Sequence, residues 1–141
     1  MQHQEANMRN IALIVAGAGL AACSTAPQPV VRTAEKQAEY VKLIDGKVAG
    51  TTTSCLSPFN SNDMRVIDDN TVVFRQSASR VYVAHLQGGC PYLGRGGYAM
   101  VTRQVGGSGL CRGDIAQVVD TGSGMSVGSC VFSGFTPYTT P

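Results

Sequence analysis

The chain has 141 residues, 43% apolar, 6% aromatic and 14% charged, with 17 Gly and no Trp, which is enough for one small domain and not for two. A formal charge of +2, scattered along the chain, argues against a nucleic-acid partner. Two His and no repeated Cys-x-x-Cys or His-x-x-x-His spacing argue against a zinc enzyme, and no metal or other cofactor is expected.

Ile11 to Leu20 is an apolar run preceded by Arg9. It is shorter than the roughly 20 residues that span a bilayer as a helix and fits the apolar region of a secretory signal. Met8-Arg9-Asn10 is an alternative start, so the sequence leaves translation from Met1 or Met8 open. The run ends in Leu20-Ala21-Ala22-Cys23, which resembles the lipobox of bacterial lipoproteins. The resemblance implies a signal peptide over residues 1–22, cleavage before Cys23, and diacylglycerol on the Cys23 sulfur. Each buried acyl methylene stabilises anchoring by about 0.8 kcal/mol, so two or three chains hold a protein on a membrane. Ser24 follows rather than Asp, which by the same resemblance implies an outer-membrane destination. Residues 23–33, with Pro27 and Pro29, read as a lipidated, extended tether.

Residues 34–141 read as a small β domain with one helix at its start. Ala34, Ala38, Val41 and Ile44 recur on one face of a helical stretch from Ala34 to Ile44, with Thr33 to cap it and Gly46 to end it. From Thr51 the pattern has period two. Met64 to Asp68 and Thr71 to Arg75 flank Asp69-Asn70, a two-residue hairpin turn. Arg80 to Leu86 alternates, with Val81, Val83 and His85 on one face and Tyr82, Ala84 and Leu86 on the other. Tyr98 to Arg103, Asp114 to Val119 and Cys130 to Phe135 are further strands. Gln104 to Gly109 is a Gly-rich turn and Thr136 to Pro141 a tail. Five to seven short strands with tight turns predict a mainly β fold, a small antiparallel barrel or sandwich.

With Cys23 given to lipid, four Cys remain in an exported domain, and they predict two disulfides. Three connectivities are possible. The preferred one is nested, Cys90 to Cys111 inside Cys55 to Cys130, so that the outer bridge joins the first and last strands.

Cys55-Leu56, Arg65 to Thr71, Tyr82, Cys90-Pro91-Tyr92-Leu93, Leu110 to Asp114, Cys130 and Phe135-Thr136-Pro137 together resemble a family of small proteobacterial envelope proteins, often lipoproteins, with a domain of unknown function. The resemblance covers roughly residues 55–138 and brings no activity with it.

Several motifs invite a chemical reading that their context does not support. Gly124-Met125-Ser126-Val127-Gly128 spells a nucleophile elbow, but that elbow needs a following helix and a later His, and no His follows Ser126. Arg112-Gly113-Asp114 spells an adhesion tripeptide and reads as a turn after Cys111. His85 is the sole His after the tether and has no nucleophile motif near it. Asp68 and Asp69, adjacent on a strand, point to opposite faces and suit a turn better than a paired-carboxylate site. Arg65, Arg75, Arg80, Arg95, Arg103 and Arg112 would hold an anionic headgroup or glycan if they shared a face.

The sequence therefore predicts a lipoprotein at the outer membrane, facing the periplasm. It is expected to be a non-catalytic binding or structural module whose partners are the membrane, through Cys23, and an envelope protein or glycan. The alternative is an inhibitor of a cell-wall hydrolase, with the Gly-rich segment Thr121 to Ser129 as its inserted loop.

Overall fold

A computed structural model describes residues 32–61, 63–103 and 109–141. The signal-like run, Cys23, most of the tether and residues 104–108 of the Gly-rich turn lie outside these.

The helix α1 spans Ala34–Ile44 as the periodicity predicts. Thr33 caps it, its Oγ1 accepting from the Lys36 N–H at 3.2 Å, which satisfies one of the N–H groups a helix start leaves without a partner. The face it buries shares only Ile44 with the expected one. Tyr40, Leu43 and Ile44 pack on the sheet, whereas Ala34, Ala38 and Val41 line a shallow open groove, with Val41 49% exposed. Burial scales with apolar area, so Tyr40 and Leu43 outweigh a stripe of alanines. Three turns are marginal in isolation, and this contact holds them.

Nine strands follow among the described residues: β1 (Val48–Ala49), β2 (Cys55–Leu56), β3 (Met64–Asp68), β4 (Thr71–Arg75), β5 (Arg80–Gln87), β6 (Tyr98–Thr102), β7 (Leu110–Cys111), β8 (Ile115–Asp120) and β9 (Ser126–Thr139). The main sheet runs β3-β4-β5-β9-β8-β6, with β1 added along the C-terminal part of β9, and every pairing is antiparallel. It curls into an open half-barrel, so the expected antiparallel β architecture holds without full closure. β2 and β7 form a separate two-stranded ladder.

The last strand is longer than the sequence suggests. It begins at Ser126, inside the segment expected to be a loop, and runs through the expected tail to Thr139. β9 is central: it pairs with β5 on one side and with β8 and then β1 on the other. From Ala84 to Leu86 the β9 partner steps from Phe135 to Phe132, so the extra residue is a bulge in β9, the device by which one strand bends between two directions of a curled sheet.

The concave face carries the main core, built on Phe74, Phe132 and Phe135 with Leu56, Val72, Leu86, Leu110 and Val118. The convex face is covered over β3 to β5 by α1, which packs on Ile67, Val73, Val81 and Val83. β4 is therefore buried on both sides from Thr71 to Phe74. Over β6 and β8 the convex face has no such cover among the described residues, and Val101 and Ile115 are 45% and 57% exposed.

Two disulfides form, but not in the nested pairing. Cys55 bonds to Cys111 and Cys90 to Cys130. Cys55 and Cys111 lie directly opposite in the β2–β7 ladder. Cys130 precedes Val131, which pairs with Gln87 at the end of β5, so it lies beside the segment that leaves β5 toward Cys90. Chain order is not spatial order here, and the bridges interleave.

Candidate functional site

Three connections meet at one end of the main sheet: the β3–β4 turn, the segment from Gly88 to Gly97 between β5 and β6, and the β8–β9 turn. Backbone contacts tie them together. Cys90 N–H donates to the Asp69 C=O at 2.7 Å, and Thr121 N–H donates to the Gly97 C=O at 2.9 Å. Gly94 N–H donates to Asp69 Oδ1 at 3.3 Å.

The central segment carries an aromatic stack. The Tyr92 and Tyr98 rings lie 5.3 Å apart, inclined by 22°, and the Arg95 guanidinium sits 4.9 Å from the Tyr92 ring centre. Tyr92 has φ +68° and is the one non-glycine residue in the left-handed region among those described. An aromatic residue there costs on the order of 1–3 kcal/mol and persists only where its surroundings enforce it. They do so through the two residues before it: Cys90 is bridged to Cys130, and the Pro91 ring lies against Gly128, where a Cβ would overlap it. Tyr92 nevertheless stays 40% exposed, and Met125 on the β8–β9 turn is 68% exposed.

The chain enters the domain at this same end. Arg32 donates from Nε to Asp68 Oδ2 at 2.5 Å and from Nη2 to Thr71 Oγ1 at 3.1 Å, and its guanidinium lies 4.5 Å from the Tyr40 ring centre. Asp68 is almost fully buried, so this is a charge-assisted clamp in low dielectric, the kind of pair whose loss of one partner is costly. Its other oxygen accepts from Asn70 N–H at 2.7 Å, which closes the hairpin turn read from the sequence. Burial, with the neighbouring Tyr138 phenol, pushes the Tyr40 hydroxyl above its ordinary range. Arg32 carried no signal in a one-dimensional reading, since its partners lie on a hairpin 36 residues on.

The residues singled out from sequence are dispersed. Ser126 opens β9 across from Val119, and its hydroxyl donates to the Gly128 C=O at 3.4 Å. The glycines around it serve the turn and the Pro91 contact. His85 is exposed on β5 opposite Thr71. Arg112-Gly113-Asp114 is the expected turn: Asp114 N–H donates to the Cys111 C=O at 3.0 Å, Cys111 N–H donates back to Asp114 Oδ2 at 2.7 Å, and Gly113 has φ +90°, which the third position of a type II turn requires.

The arginines do not share a face. By register Arg65 and Arg75 lie on the convex side with Val73 and Val81, Arg80 has the opposite parity, and Arg95 belongs to the aromatic stack. Of the Thr121 to Ser129 segment, Thr121 to Met125 is a tight hairpin tip and the rest is the start of β9. Asp120 Oδ1 accepts from the N–H groups of Gly122 and Ser123 at 2.9 and 2.8 Å, bonds that hold its carboxyl below the ordinary range.

Among the described residues no group of three His, Cys, Asp or Glu is placed to hold a metal, and no helix is long and apolar enough to cross a membrane. A family model described as a family of unknown function, DUF6491, matches residues 6–140. The chain belongs to this family. The DUF6491 match takes in the apolar run and Cys23 together with the whole described domain. No curated protein matches the chain, and no solved structure does.

Proposed function

We propose that this DUF6491 member is a bacterial lipoprotein held at the outer membrane by acyl chains on Cys23. It faces the periplasm and acts as a non-catalytic binding or structural module toward an envelope protein or glycan. The lipobox-like Leu20 to Cys23 supports the anchor, and the family span includes it.

The observation that carries the non-catalytic reading is how the reactive-looking groups are used. Four Cys are bridged, Asp68 is ion-paired to Arg32, the Asp114 carboxylate closes a turn, and the Ser126 hydroxyl is turned to its own strand. Nucleophilic catalysis needs a base beside the nucleophile and a third group to orient that base. Ser126 lies on β9 and His85 on β5, and among the described residues no hydrogen bond joins their side chains. What the surface offers instead is a set of exposed apolar side chains, Tyr92, Val101, Ile115 and Met125 among them.

The test is complementation. In a deletion strain scored for envelope permeability, His85→Ala and Ser126→Ala are expected to restore the phenotype as fully as wild type, at equal protein level by blotting. An Ala variant that accumulates normally yet fails to complement would overturn the non-catalytic reading and place chemistry at that residue.

A further inference from the structure

The first described residue, Arg32, is clamped to Asp68 and Thr71 at the end of the sheet where Tyr92, Arg95, Tyr98 and Met125 lie. We infer that this end is the membrane-facing one, and that Tyr92, Tyr98, Arg95 and Met125 rest in the headgroup layer of the bilayer that carries the Cys23 lipid. The inference rests on the anchor reading above and names the surface that the anchor brings to the lipid.

Length carries the argument. Arg32 lies nine residues beyond Cys23. Nine residues reach at most about 32 Å fully extended. A domain of this size has a radius of gyration of about 13 Å, so its diameter is comparable to the greatest span those residues allow. The end that holds Arg32 therefore stays closest to the membrane, and the Gln76 to Ser79 turn at the other end of β4 and β5 stays farthest.

Chemistry agrees with the placement. Tyrosine has an apolar ring and a polar tip and collects at membrane–water interfaces. Arg95, laid over Tyr92, offers guanidinium N–H groups suited to phosphate oxygens. Met125 adds an apolar contact. The ionic balance at this end is near even, with Arg32 and Arg95 set against Asp68, Asp69 and Asp120. The contact is therefore interfacial and aromatic rather than electrostatic, and salt should change it little.

The absence of Trp from the chain permits a direct test. The lipidated mature protein is reconstituted in phosphatidylethanolamine–phosphatidylglycerol vesicles with one Trp reporter at a time: Tyr92→Trp, Met125→Trp, or Ser77→Trp. Ser77 lies in the β4–β5 turn, about 23 Å from the β3–β4 turn at 3.3 Å per strand residue. With bromine on the acyl chains, emission should fall at least twofold at positions 92 and 125, stay unchanged at 77, and remain so in 0.5 M salt. Quenching at neither 92 nor 125, or equal quenching at all three, in protein retained on the vesicles overturns the docking while leaving the anchor intact. An emission shift at 92 with purified peptidoglycan, and none with vesicles, overturns it in favour of a glycan ligand. Mature protein purified from membranes that carries no lipid on Cys23 overturns the anchor reading itself.

Discussion

Replacing Cys55 and Cys111 together by alanine is expected to lower the unfolding free energy by about 4 kcal/mol, and replacing Cys90 and Cys130 together by about the same. The bridges span 56 and 40 residues, and in the chain-entropy account the cost of loop closure grows only slowly with length. Against a total of about 5–15 kcal/mol for a small domain, either loss is severe. The interleaved pairing makes a sharper claim. Cys90 and Cys111 belong to different bridges, so replacing those two breaks both and should roughly double the loss. In a nested arrangement the same pair would remove a single bridge. Urea unfolding of the three double variants, with non-reducing peptide mapping of the wild type, checks both points. Equal losses for all three pairs would contradict the interleaved pairing.

Phe135→Ala is expected to cost about 3–5 kcal/mol, the range for truncating a fully buried aromatic ring. Phe135 has no exposed surface. Its ring centre is 5.6 Å from that of Phe132 and 6.0 Å from that of Phe74, so its removal leaves a cavity between β4 and β9 at the centre of the concave core. The control is Phe59→Ala, since Phe59 is 88% exposed in the short turn before β3. Exposed substitutions of this kind stay within about 0.5 kcal/mol. Thermal or urea unfolding of the two variants side by side reads the difference, and similar losses for both would place the core elsewhere.

Local patterns in this chain translated directly into structure. The Thr33 cap, the extent of α1, the Asp69-Asn70 turn and the alternating faces of β5 depend on neighbours in sequence, and each is where the residues put it. The misplaced features depend on distant contacts. The buried face of α1 is decided by what Tyr40 and Leu43 meet across the sheet, not by the stripe of Ala34, Ala38 and Val41. β4, Thr-Val-Val-Phe-Arg, shows no alternation because both its faces are covered, one by the core and one by α1. The bridges interleave because β9 pairs with β5 and β8 at once, a topology that no local signal announces.

The candidate site was legible only in pieces. Cys90-Pro91-Tyr92-Leu93 stood out as a motif, but neither the left-handed backbone of Tyr92 nor its stacking on Tyr98 is written in the residue types. Glycines flank Tyr92 at 88, 89, 94, 96 and 97, and a reader would assign positive φ to them first. The Arg32 clamp depends on a partner a whole hairpin away. It is nevertheless what ties Arg32, ahead of α1, to the end of the sheet where β3 turns into β4.

The central claim is that a lipid on Cys23 holds this domain at a membrane, and the mass of the mature N-terminal peptide tests it most directly. Mass spectrometry of the protein purified from membranes should find the chain beginning at Cys23, with diacylglycerol on its sulfur and an acyl group on its amine, and a Cys23→Ser variant should lack both and remain uncleaved. A mature chain that begins elsewhere, or that begins at Cys23 without lipid and still stays in the membrane fraction, would contradict it.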